Sequence, residues 1–229
     1  MNKLSDRRGV TRAAAVLLAL IGVMLVIIAI PIWQSYQQRG EYIACEQALK
    51  SARDGLVIEY LGRWEAGTVE QAMQTLDEVL PERANICPSG GTVYLVRDEN
   101  GIFQPVCGLH DRDAALRTRL NASRALELLT DGLRWTRRES EGEPEAVQIE
   151  LNGAPLSCQR VAEAPKLRRG TRTTSGYEGV VAFYGLAGEG DFADSDLKAG
   201  TICYFIYADE DHCAVWRAEK GWTGDAYAG

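Results

Sequence analysis

An uncharged apolar run from Ala13 to Trp33 constrains the fold of this chain more than any other feature. As an α-helix the run would be about 30 Å long, which matches the hydrocarbon thickness of a bilayer. The bilayer interior offers the backbone no hydrogen-bond partners, and a helix supplies them internally. The run therefore predicts one membrane-spanning helix over residues 13–33.

The charges before this run predict its orientation. Basic residues outnumber acidic ones there: Lys3, Arg7, Arg8 and Arg12 against Asp6. The positive-inside tendency places the N-terminus in the cytoplasm and everything after Trp33 outside. A cleaved secretory signal would have a shorter apolar core and a small-residue cleavage site, and no such site follows Ile30. We therefore expect a single-pass protein of the cell membrane with an extracellular C-terminal domain.

Composition excludes some functions for the exported part. Beyond residue 33 the chain has 21 basic and 31 acidic residues, and this balance argues against nucleic acid as a partner. His110 and His212 are the only side chains with the ordinary pKa of a neutral-pH base, and neither lies in a catalytic motif. We predict neither an enzyme nor a cofactor.

All six cysteines follow the apolar run, and an even number outside the membrane favours disulfides. Fifteen complete pairings are possible, so local geometry guides the choice. The hairpin predicted over residues 92–107 brings Cys87 close to Cys107. Cys203 and Cys213 flank a turn predicted at residues 209–212 and can close a second hairpin. This leaves Cys45 to pair with Cys158. Zinc is the alternative for Cys87, Cys107 and His110, but these are three ligands where a structural zinc site has four.

The segment Arg7-Arg8-Gly9-Val10-Thr11, followed directly by the apolar run, resembles the N-terminus of type IV pilins and type II secretion pseudopilins. The resemblance implies a cytoplasmic leader over residues 1–9 that ends at Gly9, and a mature chain that begins at Val10. It also implies a helix over residues 10–61 that is kinked at Pro31. The chain departs from the family at the fifth mature position, where the usual Glu is replaced by Ala14. In the family that carboxylate helps to register subunits during assembly.

A second resemblance lies in the segment Cys87-Pro-Ser-Gly-Gly-Thr, which is followed by a hairpin and by Cys107-x-Leu-His110. This pattern resembles the C-terminal sheet of pilin-like proteins of Gram-positive bacteria. It implies a pilin-like head over residues 62–110 and, as partners, the bilayer and other pilin-like subunits in a homo- or hetero-assembly.

The remaining patterns indicate an α+β fold. The Asn100-Gly101 turn predicts a hairpin of strands 92–97 and 102–107, and Asn152-Gly153 predicts a second hairpin. A helix is predicted over residues 111–132 with Gly132 at its end. The predicted strands of a second α+β lobe, residues 111–229, are 146–151, 156–161, 179–185, 201–208 and 213–218.

An acidic loop over residues 188–200 contains Asp191, Asp194 and Asp196, which are candidate calcium ligands. Their spacing does not fit the EF-hand loop, so an ordinary acidic surface loop is the favoured interpretation.

These observations lead to two functional hypotheses. The first is a structural subunit of a type IV pilus or of a type II secretion or competence assembly. The second is a single-pass protein that does not polymerise and whose extracellular domain binds a ligand or senses the envelope. The Gly9–Pro31 spacing and the cysteine-flanked hairpin favour the first hypothesis, and Ala14 favours the second.

Overall fold

The computed structural model describes residues 12–61, 86–97, 101–139, 143–166 and 179–227. It is an α+β protein in which one long apolar N-terminal helix precedes a β-sheet domain. The chain divides into two compact units, residues 1–43 and 44–229. The predicted leader junction at Gly9 and Val10 lies outside the described residues.

Helix α1, Arg12–Leu61, contains 50 residues and has Pro31 in its interior, and the predicted kink at Pro31 stays a prediction. From Val16 to Trp33 its large apolar side chains are exposed. Within the part of the chain that the structure describes, it is the one helix long and apolar enough to cross a membrane. In the second unit the same helix has a buried face, where Cys45 and Ala52 are fully covered.

A two-stranded antiparallel hairpin is formed by β1, Val93–Arg97, and β2, Phe103–Cys107. The register pairs Val93 with Cys107 and Arg97 with Phe103. Both predicted strands are confirmed to within one residue at their starts. The predicted domain boundary after residue 110 follows this hairpin and lies inside the second unit.

Helix α2, Ala114–Glu139, is seven residues longer at its C-terminal end than the sequence indicated. Asp113 caps its start, because its carboxylate accepts the backbone N–H of Leu116 at 2.9 Å. Gly132 does not end the helix. A Cβ at residue 132 would lie 2.8 Å from Cγ1 of Val147, so glycine serves here to let the helix approach a strand closely.

Six further strands form one sheet whose spatial order follows the sequence, β3-β4-β5-β6-β7-β8. Neighbouring strands are antiparallel except for the parallel pair β4 and β5. The Asn152-Gly153 turn joins β3 and β4 with positive φ at both residues, as its sequence predicted. The strands are β3, Ala146–Leu151; β4, Ala154–Arg160; β5, Val181–Leu186; β6, Ile202–Ala208; β7, Cys213–Arg217; and β8, Gly221–Thr223.

The main core lies between α2 and one face of this sheet. Ala125, Leu129 and Leu133 of the helix pack there with Phe205 and Tyr207 of β6. All seven residues of β6 are buried, which requires cover on both faces. On the second face a smaller cluster includes Phe192, from the short 3₁₀ helix Gly190–Phe192.

Candidate metal centre

Four side chains from three separate segments converge in the second unit. Cys45 comes from α1, Cys87 from the turn before β1, Cys107 from the end of β2, and His110 from the turn that follows. Their ligand atoms all lie within 4.8 Å of one another. We call this group the Cys3His cluster. Among the residues that the structure describes, no other group of three or more His, Cys, Asp and Glu side chains is arranged to share a metal ion.

Local backbone structure explains the convergence. The register of the hairpin places Cys107 opposite Val93, so the end of β2 lies beside the turn that carries Cys87. That turn is closed by a hydrogen bond from the N–H of Gly90 to the carbonyl of Cys87 at 3.0 Å. Gly90 has a φ of 77°, a backbone conformation that favours glycine. After β2, the N–H of Asp111 donates to the carbonyl of Cys107 at 3.2 Å, and this turn brings His110 back toward the sulfurs.

The imidazole of His110 lies against two of the sulfurs. Nδ1 is 3.2 Å from Sγ of Cys87 and 3.7 Å from Sγ of Cys107. The backbone N–H of Leu109 also donates to Sγ of Cys107 at 3.4 Å. The same ring nitrogen therefore faces both sulfurs that the hairpin brings together.

Gly91 allows the backbone to pass directly beside the sulfurs. A Cβ at this position would lie 2.6 Å from Sγ of Cys107 and 3.0 Å from Sγ of Cys87. These distances are shorter than van der Waals contact, so any larger residue would displace a ligand atom. The second glycine of the Cys-Pro-Ser-Gly-Gly segment is thus part of the site's construction.

Burial raises the pKa of two of the three thiols. Cys45 and Cys107 have no exposed surface, and Cys87 is 2% exposed. Burial, followed by the neighbouring sulfurs, raises the pKa of Cys45. Burial also raises the pKa of Cys107, against the backbone N–H groups of Leu109 and His110. Thiols held in the neutral form are poor nucleophiles.

A network of asparagine side chains connects the turn at Cys107–His110 to α2 and to the β3–β4 turn. Nδ2 of Asn121 donates to the carbonyl of Gly108 at 2.8 Å, and its Oδ1 accepts the hydroxyl of Tyr94 at 3.0 Å. Asn152 donates to the same Oδ1 at 3.1 Å and accepts the N–H of Thr92 at 2.9 Å. The turn that carries two members of the Cys3His cluster is therefore fixed by Asn121, which the sequence did not single out, together with Asn152, which it identified only as a turn residue.

The structure corrects the predicted disulfides, because all six cysteines are free thiols. In the β6–β7 register Cys213 pairs with Ala208, whereas the carbonyl of Cys203 accepts the N–H of Ala218. Cys203 and Cys213 thus lie at opposite ends of the strand pair.

Cys45 and Cys158 belong to different clusters of buried residues and do not pair. Cys158 lies in the core between α2 and the sheet, while Cys45 lies with Cys87 and Cys107. Cys87 and Cys107 lie close together, as the predicted hairpin requires. The two sulfurs are nevertheless free thiols, and they lie beside Cys45 and His110.

The candidate calcium ligands do not form a metal group. Asp191, Asp194 and Asp196 are exposed, and Asp191 accepts the backbone N–H of Ala164 at 3.2 Å. None of the three belongs to the Cys3His cluster, the one group among the described residues whose side chains could share a metal ion.

Comparison with known proteins identified no relative. No protein-family model matches the chain, and searches of curated proteins and of solved structures gave no significant match.

Proposed function

We propose that this protein is a membrane-anchored structural subunit of the pilin-like or pseudopilin-like kind, belonging to a type IV pilus or to a type II secretion or competence assembly. Its N-terminus lies in the cytoplasm and its β-sheet domain outside the cell. Its partners are the bilayer and other pilin-like subunits, as copies of itself or as different chains.

The observation that carries this proposal is the change in burial along α1. The helix exposes an uninterrupted apolar surface from Val16 to Trp33 and then buries Cys45 and Ala52 within the second unit. One continuous helix thus has a part suited to lipid or to another apolar helix and a part suited to a folded domain. A pilin-type subunit requires this division of a single helix.

Two sequence features support the proposal from elsewhere in the chain. The basic leader that ends at Gly9 supports prepilin-type processing, and the Cys-Pro-Ser-Gly-Gly hairpin supports a pilin-like head. The orientation is inferred from the basic residues before the membrane run. The cysteines do not contribute to that inference, because they form no disulfides in this structure.

The second candidate is a permanently anchored protein that does not polymerise and whose extracellular domain binds a ligand or senses the envelope. Ala14 favours it, because this position lacks the carboxylate that registers subunits in the pilin family. The two candidates differ in the fate of residues 1–9.

The deciding experiment is the intact mass of the protein extracted from membranes after co-expression with a prepilin peptidase. We expect a loss equal to residues 1–9 from the native sequence and a full-length mass for Gly9→Val, in which a branched side chain replaces the last leader residue. Gly22→Ala is the matched control, because no heavy atom lies within 4 Å of a Cβ there, and it should be processed normally. A full-length native chain beside a processed control prepilin would favour the permanent anchor.

Assembly itself is tested by placing a photo-crosslinking amino acid at Met24, which is exposed on the apolar part of α1. A subunit assembly should give a ladder of crosslinked chains in cells. The same amino acid at the exposed position Glu150 of β3 is the control for random collision. Monomer alone at both positions would contradict assembly.

A further inference from the structure

We propose that Cys45, Cys87, Cys107 and His110 bind one Zn²⁺ ion in a closed, structural, four-coordinate site. The proposal concerns the folded second unit and is independent of leader processing. Three thiol protons pass to solvent when the ion binds, and no oxidation state changes.

The spacing of the ligand atoms fits a tetrahedral zinc ion. Bonds of about 2.3 Å to sulfur and about 2.0 Å to nitrogen, at the tetrahedral angle, place sulfur and nitrogen ligands about 3.5 Å apart. The two sulfur–nitrogen distances at His110 are 3.2 and 3.7 Å, on either side of that value. All four ligand atoms lie within 4.8 Å of one another, so small side-chain adjustments complete the tetrahedron.

A disulfide does not account for this arrangement as well. It would use two of the three sulfurs and leave the third, buried thiol and the half-buried imidazole outside the bond. Cys45 comes from α1, 42 residues before Cys87 in the sequence. It nevertheless lies with the hairpin cysteines and has no exposed surface. The convergence of all four groups is what a metal ion requires and a disulfide does not.

The chemistry of the ligands favours zinc over calcium, magnesium and iron–sulfur clusters. Thiolate and imidazole are soft and borderline ligands, which suit zinc and exclude calcium and magnesium. Iron–sulfur clusters generally use four cysteines, and this cluster has three. Four protein ligands leave no open position for water or substrate, so the site is structural rather than catalytic.

The surroundings of the cluster also match a metal site. The N–H of Leu109 donates to Sγ of Cys107, an interaction that stabilises a bound thiolate. Because Gly91 has no Cβ, the space beside the sulfurs of Cys87 and Cys107 stays open. The hairpin is a two-stranded sheet, which is marginal on its own, so an ion that joins it to α1 would add to the stability that the asparagine network gives it.

The test is the zinc content of the full-length protein, purified in detergent from cells grown with zinc and measured by elemental mass spectrometry. We expect about one zinc ion per chain, as a single closed site requires. Cys45→Ser is the decisive variant, since zinc needs Cys45 and a Cys87–Cys107 disulfide does not. It should lose the zinc, whereas Cys158→Ser, which removes a buried thiol outside the cluster, should keep it.

A second measurement uses the native sequence alone, so it does not depend on a variant that fails to fold. The metal-free full-length chain titrated with Co²⁺ should develop sulfur-to-metal charge-transfer and tetrahedral ligand-field absorption, both removed by Zn²⁺. Alkylation should modify the cluster thiols only after chelation. The proposal is overturned if the native chain retains no zinc, if Cys45→Ser retains it, or if unreduced peptides show Cys87 joined to Cys107.

Discussion

The side-chain amide of Asn121 on α2 donates to the backbone carbonyl of Gly108 at 2.8 Å, and Asn121 is 3% exposed. Gly108 lies between Cys107 and His110, so this hydrogen bond holds the turn that carries two of the four proposed zinc ligands. A Cβ at Gly108 would lie 2.5 Å from Oδ1 of Asn121 and 2.6 Å from Oδ1 of Asn152. The close approach of the turn to both asparagines requires glycine at this position.

We predict that Asn121→Ala destabilises the protein and weakens metal binding. It would leave the Gly108 carbonyl without its partner, at a cost of about 1–3 kcal/mol in the free energy of unfolding. Loss of a group that orients metal ligands costs roughly 10- to 100-fold in affinity. Thermal unfolding and competition with a zinc chelator, both on the full-length protein, measure the two effects.

Arg124→Ala is the control for this prediction. It removes an exposed ion pair with Glu127 from the same helix, and such pairs contribute roughly 0–1 kcal/mol. If Asn121→Ala lowered the unfolding temperature but left zinc affinity unchanged, the asparagine network would be purely structural.

The helix–sheet interface gives a second prediction, which concerns Gly132 and Val147. Gly132→Ala would gain roughly 1 kcal/mol in helix propensity. It would also place a Cβ 2.8 Å from Cγ1 of Val147, and overpacking of this kind costs about 1–3 kcal/mol. We expect a net loss of stability, because Val147 is 5% exposed and β-branched and has little freedom to move.

The double variant Gly132→Ala/Val147→Ala tests the cause. Removing the valine methyl groups makes room for the new Cβ, so the combined loss should be smaller than the sum of the two single losses. Additive losses would show that the close approach of these residues does not limit the packing of α2.

The fold was largely predictable because its determinants are local. The Asn152-Gly153 turn and the strands beside it are specified by residues that are adjacent in sequence. The end of α2 was wrongly predicted because a glycine that ends a helix and a glycine that permits close packing are identical in sequence. Strand β8 was missed because three residues are too short for a periodic pattern.

The proposed metal centre was only partly predictable. Cys107 and His110 lie three residues apart and Cys87 precedes the same hairpin, so the sequence offers these three residues as an alternative zinc set, although a Cys87–Cys107 disulfide is the favoured prediction. The fourth, Cys45, lies on a different element, and no local spacing connects it to the others. The predicted Cys45–Cys158 disulfide was wrong because pairing by elimination requires every cysteine to form a disulfide, and none does here.

The last prediction concerns Asp225 and acid stability. Its Oδ1 accepts the backbone N–H of Cys213 at 2.6 Å, and its Oδ2 is 3.8 Å from Nδ1 of His212. Although burial opposes ionisation, the hydrogen bonds from Cys213 and the charge of His212 lower the pKa of Asp225. A carboxyl group whose pKa is lower in the folded state stabilises the fold above its unfolded pKa, and that stabilisation is lost as the pH falls through the folded pKa.

Asp225→Asn should therefore lower the free energy of unfolding by about 1 kcal/mol near neutral pH, because a charge-assisted hydrogen bond becomes a neutral one. The difference from the native protein should shrink as the pH falls below about 4, where the native carboxyl also becomes neutral. Thermal unfolding followed by tryptophan fluorescence across this range measures the effect. Asp194→Asn is the control, because Asp194 is an exposed carboxylate of an acidic loop, and its substitution should change stability little at any pH. If the difference in the free energy of unfolding between Asp225→Asn and the native protein stayed the same below about pH 4, the lost interaction would depend on shape rather than on the charge of the carboxylate.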